Sequence, residues 1–237
     1  MPARRVLLLH GLWLPGASMH WLGVHLRRAG FATRTLAYRS VADGPELAEQ
    51  RLAELLEAEG AADIVAHSLG GLVALQALCD HPSLPVSRVV CLGSPLVGSS
   101  AAAGMLRWSP GAGLLGRSAG LLRRGLVVEG AHCWRGRAQV GVIAGRLKLG
   151  LGGLLAGLPG EHDGTVAVAE TRIEGLTDHV VIDASHSGLL FSTAAAAQAV
   201  AFLREGRFEH PAPAAGPAAA WACKIARFPP ATGCPHG

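Results

Sequence analysis

The chain has 237 residues, of which half are hydrophobic and 16% are charged, and this is enough apolar sequence for one sizeable domain with a substantial core. The formal net charge is +4, but the arginines are scattered and lack interleaved aromatic residues, which argues against a nucleic-acid-binding protein. No apolar stretch reaches the roughly 18 residues that a membrane span requires, and the five cysteines contain no Cys-x-x-Cys pair, so we expect no membrane span, disulfide framework or zinc site.

The first predicted element is a strand over residues 5–9, which leads directly into the turn His10-Gly11-Leu12. Because charge precedes this short apolar run, the segment superficially resembles a signal peptide. The run is too short for one, and its removal would delete the strand and the turn together. We therefore expect the segment to be retained and the protein to be cytoplasmic.

Strand-like and helix-like segments alternate over most of the chain. Short apolar and β-branched runs predict strands, with helices between them, near 5–9, 32–37, 62–67, 87–93, 139–144 and 179–183. The segment Asp43-Gly44-Pro45-Glu46 predicts the start of one helix, because it places a proline and a glutamate in the first turn. This alternation predicts the α/β class, with a mostly parallel, doubly wound sheet of about six strands and helices on both faces.

Ser68 follows the third predicted strand in the sequence Ala66-His67-Ser68-Leu69-Gly70, and a helix-like stretch begins directly after it. A nucleophilic serine held in a strained turn between a strand and a helix needs small residues two positions before and after it, so that the two segments can approach closely. Ala66 and Gly70 satisfy this need, although glycine is usual at both positions. The alternative is that Ser68 only caps the helix, which is the commonest role of a serine before a helix.

A serine nucleophile also requires a histidine that takes its proton and a carboxylate that orients the histidine. The chain has a candidate for each role, and both come much later in the sequence than Ser68. Asp163 lies in a turn after the fifth predicted strand, and His186 comes just after the sixth. The order Ser, Asp, His is the one expected of the α/β-hydrolase arrangement and differs from the chymotrypsin and subtilisin orders. We therefore predict that Ser68, Asp163 and His186 are the catalytic residues.

Other residues compete for two of these roles. Asp-Gly is a common turn dipeptide, so Asp163 could serve only as a turn residue. Asp183 is the nearest rival acid, but it belongs to the strand that leads into His186 and is badly placed to reach back to the imidazole; Asp178 is weaker still. His186 is preferred among the eleven histidines because it alone follows the last predicted strand at the expected distance after the acid.

An oxyanion hole is the remaining requirement, because backbone N–H groups must stabilise the charge that develops on the carbonyl oxygen of the substrate. We assign one donor to Leu69, directly after the nucleophile, and the second to Leu12, in the turn after the first strand. Gly11 allows the chain to turn sharply at that point. We expect His10 to order this loop by hydrogen bonding and His67 to have a packing role.

Four motifs together resemble those of small lipases and esterases of the α/β-hydrolase fold: His10-Gly11, the pentapeptide around Ser68, Asp163-Gly164 and His186. The segment Gly93-Ser94-Pro95-Leu96-Val97-Gly98-Ser99 is similar to a stretch that leaves a strand toward the lid in bacterial lipases and in lipases of the GPI inositol-deacylase-like group. The resemblance covers residues 6 to about 204. It implies a compact α/β-hydrolase fold and carboxylic-ester hydrolysis through an acyl-enzyme, with no metal and no organic cofactor.

The alternation of strands and helices breaks in three places. Residues 98–136 are predicted to form a lid-like or cap-like insertion, whose leucines and arginines lie on opposite sides of a helical projection (Leu114, Leu115, Leu121, Leu122 and Leu126; Arg117, Arg123 and Arg124). A mobile lid over an acyl pocket and a fixed helix that covers the core fit this pattern equally well.

The stretch at about 147–162 is predicted to line the same pocket. Residues 207–237, rich in Pro, Ala and Gly, are predicted to form a tail outside a hydrolase domain of residues 1–206.

These observations lead to one main hypothesis, a serine hydrolase that cleaves carboxylic esters of apolar acyl groups in the manner of a lipase or esterase. A thioesterase, acyltransferase or amidase is an alternative on the same triad, because fold and triad do not determine the leaving group. A catalytically inactive binding or scaffold protein on the same fold is the alternative from another class. The expected partner is a small-molecule or lipid ester, with peripheral contact with lipid surfaces as a further possibility, and the oligomeric state stays open.

Overall fold

The computed structural model describes residues 3–107, 110–149, 158 and 160–210. Six strands form one sheet in the spatial order β2-β1-β3-β4-β5-β6, and every neighbouring pair is parallel. The strands are β1 (Arg5–Leu9), β2 (Ala32–Leu36), β3 (Asp63–His67), β4 (Arg88–Leu92), β5 (Gln139–Gly145) and β6 (Asp178–Ile182). Each observed strand begins and ends within one residue of a predicted one, so the prediction of a parallel, doubly wound sheet is confirmed.

Helices cover both faces of this sheet. In the described residues they are α1 (His20–Arg28), α2 (Pro45–Glu59), α3 (Leu69–Asp80), α4 (Ser100–Leu106), α5 (Gly111–Leu115), α6 (Ala119–Arg124) and α7 (Thr193–Glu205). The apolar residues of α2 and α3 join one core cluster, and those of α1 and α7 join a second. Two helical layers therefore enclose the sheet between them.

The strands contribute to both core clusters because successive side chains of a strand point to opposite faces. In β1, Leu7 and Leu9 pack on the α2–α3 side, whereas Val6 and Leu8 pack on the α1–α7 side. All four side chains are buried. Near-continuous apolar runs of this kind are what a parallel sheet covered on both faces requires.

The strand order reverses beside β1, and this reversal positions the site. The chain passes from β1 to β2 on one side and then crosses to β3 on the other side of β1. In sheets of this type, ligands bind in the crevice at the carboxyl ends of the strands where the order reverses. The residues that follow β1 and β3 at that edge are the turn at residues 10–12 and Ser68.

The insertion at residues 98–136 begins with α4, and in place of the amphipathic helix that the pattern of leucines and arginines predicted it then has α5, a single 3₁₀ turn (Gly116–Ser118) and α6. The helices α4, α5 and α6 span seven, five and six residues. Leu114 is exposed, while the other four leucines of the predicted apolar side, Leu115, Leu121, Leu122 and Leu126, are buried. Arg117, Arg123 and Arg124 are exposed, so the apolar and basic sides are separated as expected.

Two other segments lie mostly outside the described residues. Of the predicted pocket loop at about 147–162, the structure describes residues 147–149, 158 and 160–162. Of the predicted tail at 207–237, it describes residues 207–210. In the part of the chain that is described, no helix combines the length and the apolar character of a membrane span.

Candidate active site

Ser68 lies in a sharp turn between β3 and α3. Its backbone has φ 54° and ψ −122°, a left-handed conformation that is uncommon outside glycine and that typifies strained residues at functional sites. The turn is held by the Ser68 N–H, which donates to the carbonyl oxygen of Leu92 at 2.8 Å. The side chain of Ser68 makes no capping hydrogen bond to α3, so its hydroxyl does not have the simpler role of a helix cap.

The residue two positions after Ser68 permits this geometry because it has no side chain. A Cβ atom added to Gly70 would lie 2.7 Å from the carbonyl oxygen of His10 and 2.8 Å from that of Leu9. Any larger residue would therefore push α3 away from the end of β1. Ala66, two positions before Ser68, is fully buried in the core, where its single methyl group is accommodated.

The structure brings Ser68, His186 and Asp163 into one hydrogen-bonded chain. The Oγ of Ser68 lies 3.0 Å from Nε2 of His186, and Nδ1 of His186 lies 2.7 Å from Oδ2 of Asp163. A carboxylate only accepts hydrogen bonds, so Nδ1 carries the proton and Nε2 presents its lone pair to the serine hydroxyl. This is the arrangement in which an imidazole can remove a proton from a serine.

Asp163 is both a turn residue and the partner of His186, so the two roles considered for it are not exclusive. Its carboxylate is buried, and Oδ1 accepts hydrogen bonds from the N–H groups of Thr165 at 2.9 Å and Val166 at 2.7 Å. The other oxygen is left for the imidazole. Three hydrogen bonds thus hold the carboxylate in one orientation.

The rival acids lie elsewhere. Asp183 pairs with Arg146 at 2.5 Å, and this contact with a guanidinium holds the pKa of the Asp183 carboxyl below its usual value. Asp178 accepts from the N–H groups of His179 and Phe208 and pairs with His210. In the described residues, neither carboxylate contacts His186.

Gly93, directly after β4, lets the chain pass close to the His186–Asp163 pair. Its φ is +57°, and a Cβ at this position would lie 3.1 Å from Oδ2 of Asp163 and 3.2 Å from Nδ1 of His186. A side chain here would press on both ends of that hydrogen bond. The sequence signal was the Gly93–Ser99 motif, but the motif alone does not show which partners the glycine meets.

The loop after β1 carries the predicted oxyanion residues and lies against Ser68. A Cβ on Gly11 would be 3.0 Å from Cβ of Ser68. The two ring nitrogens of His10 lie 2.9 Å and 3.1 Å from the carbonyl oxygens of Gly11 and Tyr38, and a neutral imidazole can donate its one N–H to either of these acceptors. Among the described residues, the N–H groups of Leu12 and Leu69 have no acceptor, which leaves both free to bind an oxygen of a substrate.

Sequence reasoning did not identify the contacts that Tyr38 and Trp13 make at this loop. Tyr38, the single tyrosine of the chain, stacks on His10 at 4.2 Å and donates its hydroxyl proton to the His10 carbonyl oxygen. Burial raises the pKa of Tyr38, so its hydroxyl stays protonated and remains a donor. Trp13 has a φ of 60°, and its Nε1–H donates to the carbonyl oxygen of Leu114 at 2.8 Å. Neither contact follows a motif, because both partners come from distant segments.

Glu170 is a further residue that no motif pointed to. Its buried carboxylate accepts from the N–H of Ser100 at 2.7 Å and from the N–H of Ala167 at 2.9 Å. Ser100 is the first residue of α4, and Ala167 pairs with His162 across the turn that contains Asp163. Glu170 therefore ties the base of the insertion to the turn that holds the acid.

A cavity of about 430 Å³ opens beside Ser68 and His186. Its described lining is mostly apolar: Leu12, Trp13, Leu14, Pro95, Ala101, Ala102, Met105, Leu115, Leu122, Leu149 and Val166. Apart from the two histidines, the polar groups of the described lining are hydroxyls, and no Lys, Arg, Asp or Glu is among them. Such a cavity suits an uncharged, apolar group.

No protein-family model matches the chain, and no curated protein matches it in sequence. Solved structures do match it. The mature lipase BlEst2 of Bacillus licheniformis is 19% identical with a TM-score of 0.67, over 86% of this chain and 91% of that one. The metagenomic carboxyl esterase MGS0156 is 20% identical with a TM-score of 0.62, over 78% of this chain and 65% of that one. An extracellular α/β-hydrolase of a Paenibacillus species is 12% identical with a TM-score of 0.52, over 84% of this chain and 98% of that one.

The chain has the α/β-hydrolase fold. The resemblance to lipases and esterases that the sequence motifs indicated is confirmed at this level. Identities of 12 to 20% establish the fold alone, because the α/β-hydrolase fold hosts many chemistries. The reaction depends on the residues of the site.

Proposed function

We propose that the protein is a serine hydrolase that cleaves carboxylic esters of apolar acyl groups, with Ser68, His186 and Asp163 as its catalytic residues. The observation that carries this proposal is the hydrogen-bonded chain from Ser68 Oγ through His186 to the buried Asp163, at 3.0 Å and 2.7 Å. The strained backbone of Ser68 and the adjoining apolar cavity support it. The lipase and esterase structures that share the fold agree with it.

The proposed reaction has two halves. His186 Nε2 takes the Ser68 proton as Oγ attacks the ester carbonyl carbon, and the charge on the former carbonyl oxygen is stabilised by the N–H groups of Leu12 and Leu69. Each such donor contributes about 3 kcal/mol to the barrier reduction. The tetrahedral intermediate then expels the alcohol, which takes its proton from His186. In the second half, His186 deprotonates a water that attacks the acyl-enzyme, and the acid leaves as Ser68 recovers its proton.

The proposed substrate is an uncharged ester, from a small molecule or a lipid, because the described cavity lining contains no acidic or basic residue beyond the histidines. Exposed apolar side chains, Trp13 at 57% and Leu149 at 68%, form the outer part of this lining. We propose that a lipid surface contacts the protein there. An exposed apolar rim next to an apolar cavity favours substrates that are themselves poorly soluble.

We propose that α4, α5 and α6 act as a fixed wall of the acyl cavity rather than as a mobile lid. Ala102, Leu115 and Leu122 line the cavity, yet they are buried and belong to the same core cluster as α3. To open as a lid, the segment would have to expose these side chains, at a cost of about 1.5–3 kcal/mol for each leucine. These buried side chains therefore form an enclosed side of the cavity.

Replacement of Ala102 with leucine is expected to shift the enzyme toward shorter acyl chains. Ala102 is 4% exposed and lines the cavity, so three added carbons would occupy space that a long acyl chain needs. The ratio of kcat/KM for a C12 ester to that for a C4 ester should fall by about tenfold or more. Ala103→Leu is the matched control, because Ala103 is exposed on the same helix. An unaltered chain-length profile for A102L would contradict the fixed wall.

The proposed function is tested by hydrolysis of p-nitrophenyl esters from C2 to C16, alongside thioester and amide analogues of one acyl group. We expect ester turnover, a slower reaction with the amide, and stoichiometric labelling of Ser68 by an organophosphonate. Faster cleavage of the thioester or amide would move the assignment to those reactions. Absence of both turnover and labelling would indicate a binding protein on a hydrolase fold.

A further inference from the structure

His67, the last residue of β3, makes a contact that its expected packing role does not require. Its Nε2 lies 3.0 Å from the backbone carbonyl oxygen of His186, and the two imidazole rings are 4.7 Å apart. A carbonyl oxygen only accepts, so the proton of His67 is on Nε2 and is donated to His186. The residue before the nucleophile thus holds the loop that carries the proposed base.

This bond is one of two hydrogen bonds that hold the backbone of His186. The N–H of His186 donates to the carbonyl oxygen of Asp163 at 2.9 Å, and the carbonyl oxygen of His186 accepts from His67 at 3.0 Å. The peptide groups on both sides of the imidazole are therefore tied to the two segments that carry the other catalytic residues. Rotation of the loop would have to break one of these bonds.

The surroundings of His67 show which of its atoms the site uses. The side chain is 1% exposed, and among the described residues its Nδ1 has no hydrogen-bond partner. Leaving such an acceptor unpaired costs about 1–3 kcal/mol, a cost that an apolar side chain of the same shape would avoid. Of the two ring nitrogens of His67, Nε2 is therefore the one that makes a hydrogen bond among the described residues.

His67 is uncharged at neutral pH. Burial and the neighbouring His186 lower its pKa to about 3. A neutral ring keeps a single donor on Nε2 and adds no positive charge beside His186, which itself becomes an imidazolium during the proposed reaction. Its electrostatic state is therefore compatible with a base 4.7 Å away.

We propose that His67 is a positioning residue, whose Nε2–H holds the His186 carbonyl so that the imidazole of His186 stays within reach of Ser68. The inference rests on the proposed function, since His186 is the base of that reaction. It adds a role that packing does not supply, because packing depends on the shape of the ring and positioning depends on one N–H.

Two variants of His67 distinguish the effect of its N–H donor from the effect of the shape of its ring. His67→Phe keeps an aromatic ring and removes the donor, whereas His67→Gln keeps an N–H at a similar distance from the backbone. We expect H67F to lower kcat by about 10- to 100-fold, with little change in KM, because a base displaced by about 1 Å loses this much. H67Q should recover most of that loss. His67→Met is a second donor-free variant, for use if the phenylalanine variant does not fold.

A readout without substrate accompanies these kinetics. In the wild type, the proton on His186 Nδ1, bonded to Asp163, should give a low-field ¹H resonance that is absent from His186→Gln. We expect this resonance in H67Q and its broadening by exchange with water in the donor-free variants. A sharp resonance and full kcat in H67F would overturn the proposal, as would equal losses in H67Q and H67F. If no ester is cleaved by any form, the proposed function fails, and the resonance alone still decides the role of His67.

Discussion

Ser68→Ala is expected to lower kcat for ester hydrolysis by about 10⁴- to 10⁶-fold, because it removes the atom that forms the acyl-enzyme. The Oγ of Ser68 makes no capping hydrogen bond to α3, so the helix loses no stabilising contact. The variant loses the one hydrogen bond to His186, so the free energy of unfolding should change by no more than about 1.5 kcal/mol. The S68A variant is thus expected to lose its activity and to keep its fold.

The measurement is initial-rate hydrolysis of the preferred p-nitrophenyl ester, with thermal unfolding of the same samples. Ser100→Ala is the matched control, because Ser100 is an exposed serine of α4 that contributes only its backbone N–H to the contact with Glu170. The control should retain the wild-type rate. If S68A kept more than a few per cent of the activity, another nucleophile would have to be sought.

Asp163→Asn is expected to lower kcat by about 10³- to 10⁴-fold while the fold is retained. The Oδ1 atom of Asp163 accepts from the N–H groups of Thr165 and Val166, so in the variant the amide oxygen takes that place. The NH₂ group then faces Nδ1 of His186, where Oδ2 lies now at 2.7 Å. Because NH₂ is a donor, Nδ1 must accept and the proton moves to Nε2. The imidazole is left with no lone pair for the hydroxyl of Ser68.

Asp183→Asn provides the comparison for this experiment. Asp183 is the acid nearest to His186 along the chain, but its exposed carboxylate pairs with Arg146. Loss of this solvent-exposed pair should change the stability little and leave kcat within about twofold of the wild type. A large loss of activity in D183N together with full activity in D163N would reverse the assignment of the acid.

The strands could be predicted from the sequence because their signals are local. Each buried strand needs a short run of apolar or β-branched residues between turns, and the six runs indicated the six observed strands to within one residue. The insertion was harder to predict. Its pattern of leucines and arginines indicated which side is buried, but α5, a 3₁₀ turn and α6 replace the one amphipathic helix that it predicted, since glycines interrupt the segment.

The proposed triad could be identified as candidates because chemistry restricts the residue types and the fold restricts their order. A serine between small neighbours, then an Asp-Gly turn, then a histidine after the last strand leaves few alternatives. Ser68 and His186 are nevertheless 118 positions apart, and no spacing along the chain fixes the 3.0 Å between their side chains. That distance depends on how β3 and β6 are held in one sheet.

The sequence by itself determined the fold class, the strands and the candidate nucleophile, base and acid, because these follow from local hydrophobic patterns and from residue chemistry. Only the tertiary structure decided that Asp163 rather than Asp183 contacts His186, that His67 donates to the His186 backbone, and that Tyr38 supports the loop after β1. These contacts join segments that are far apart in the chain, and a hydrogen bond depends on tenths of an ångström that only the packed sheet and helices define.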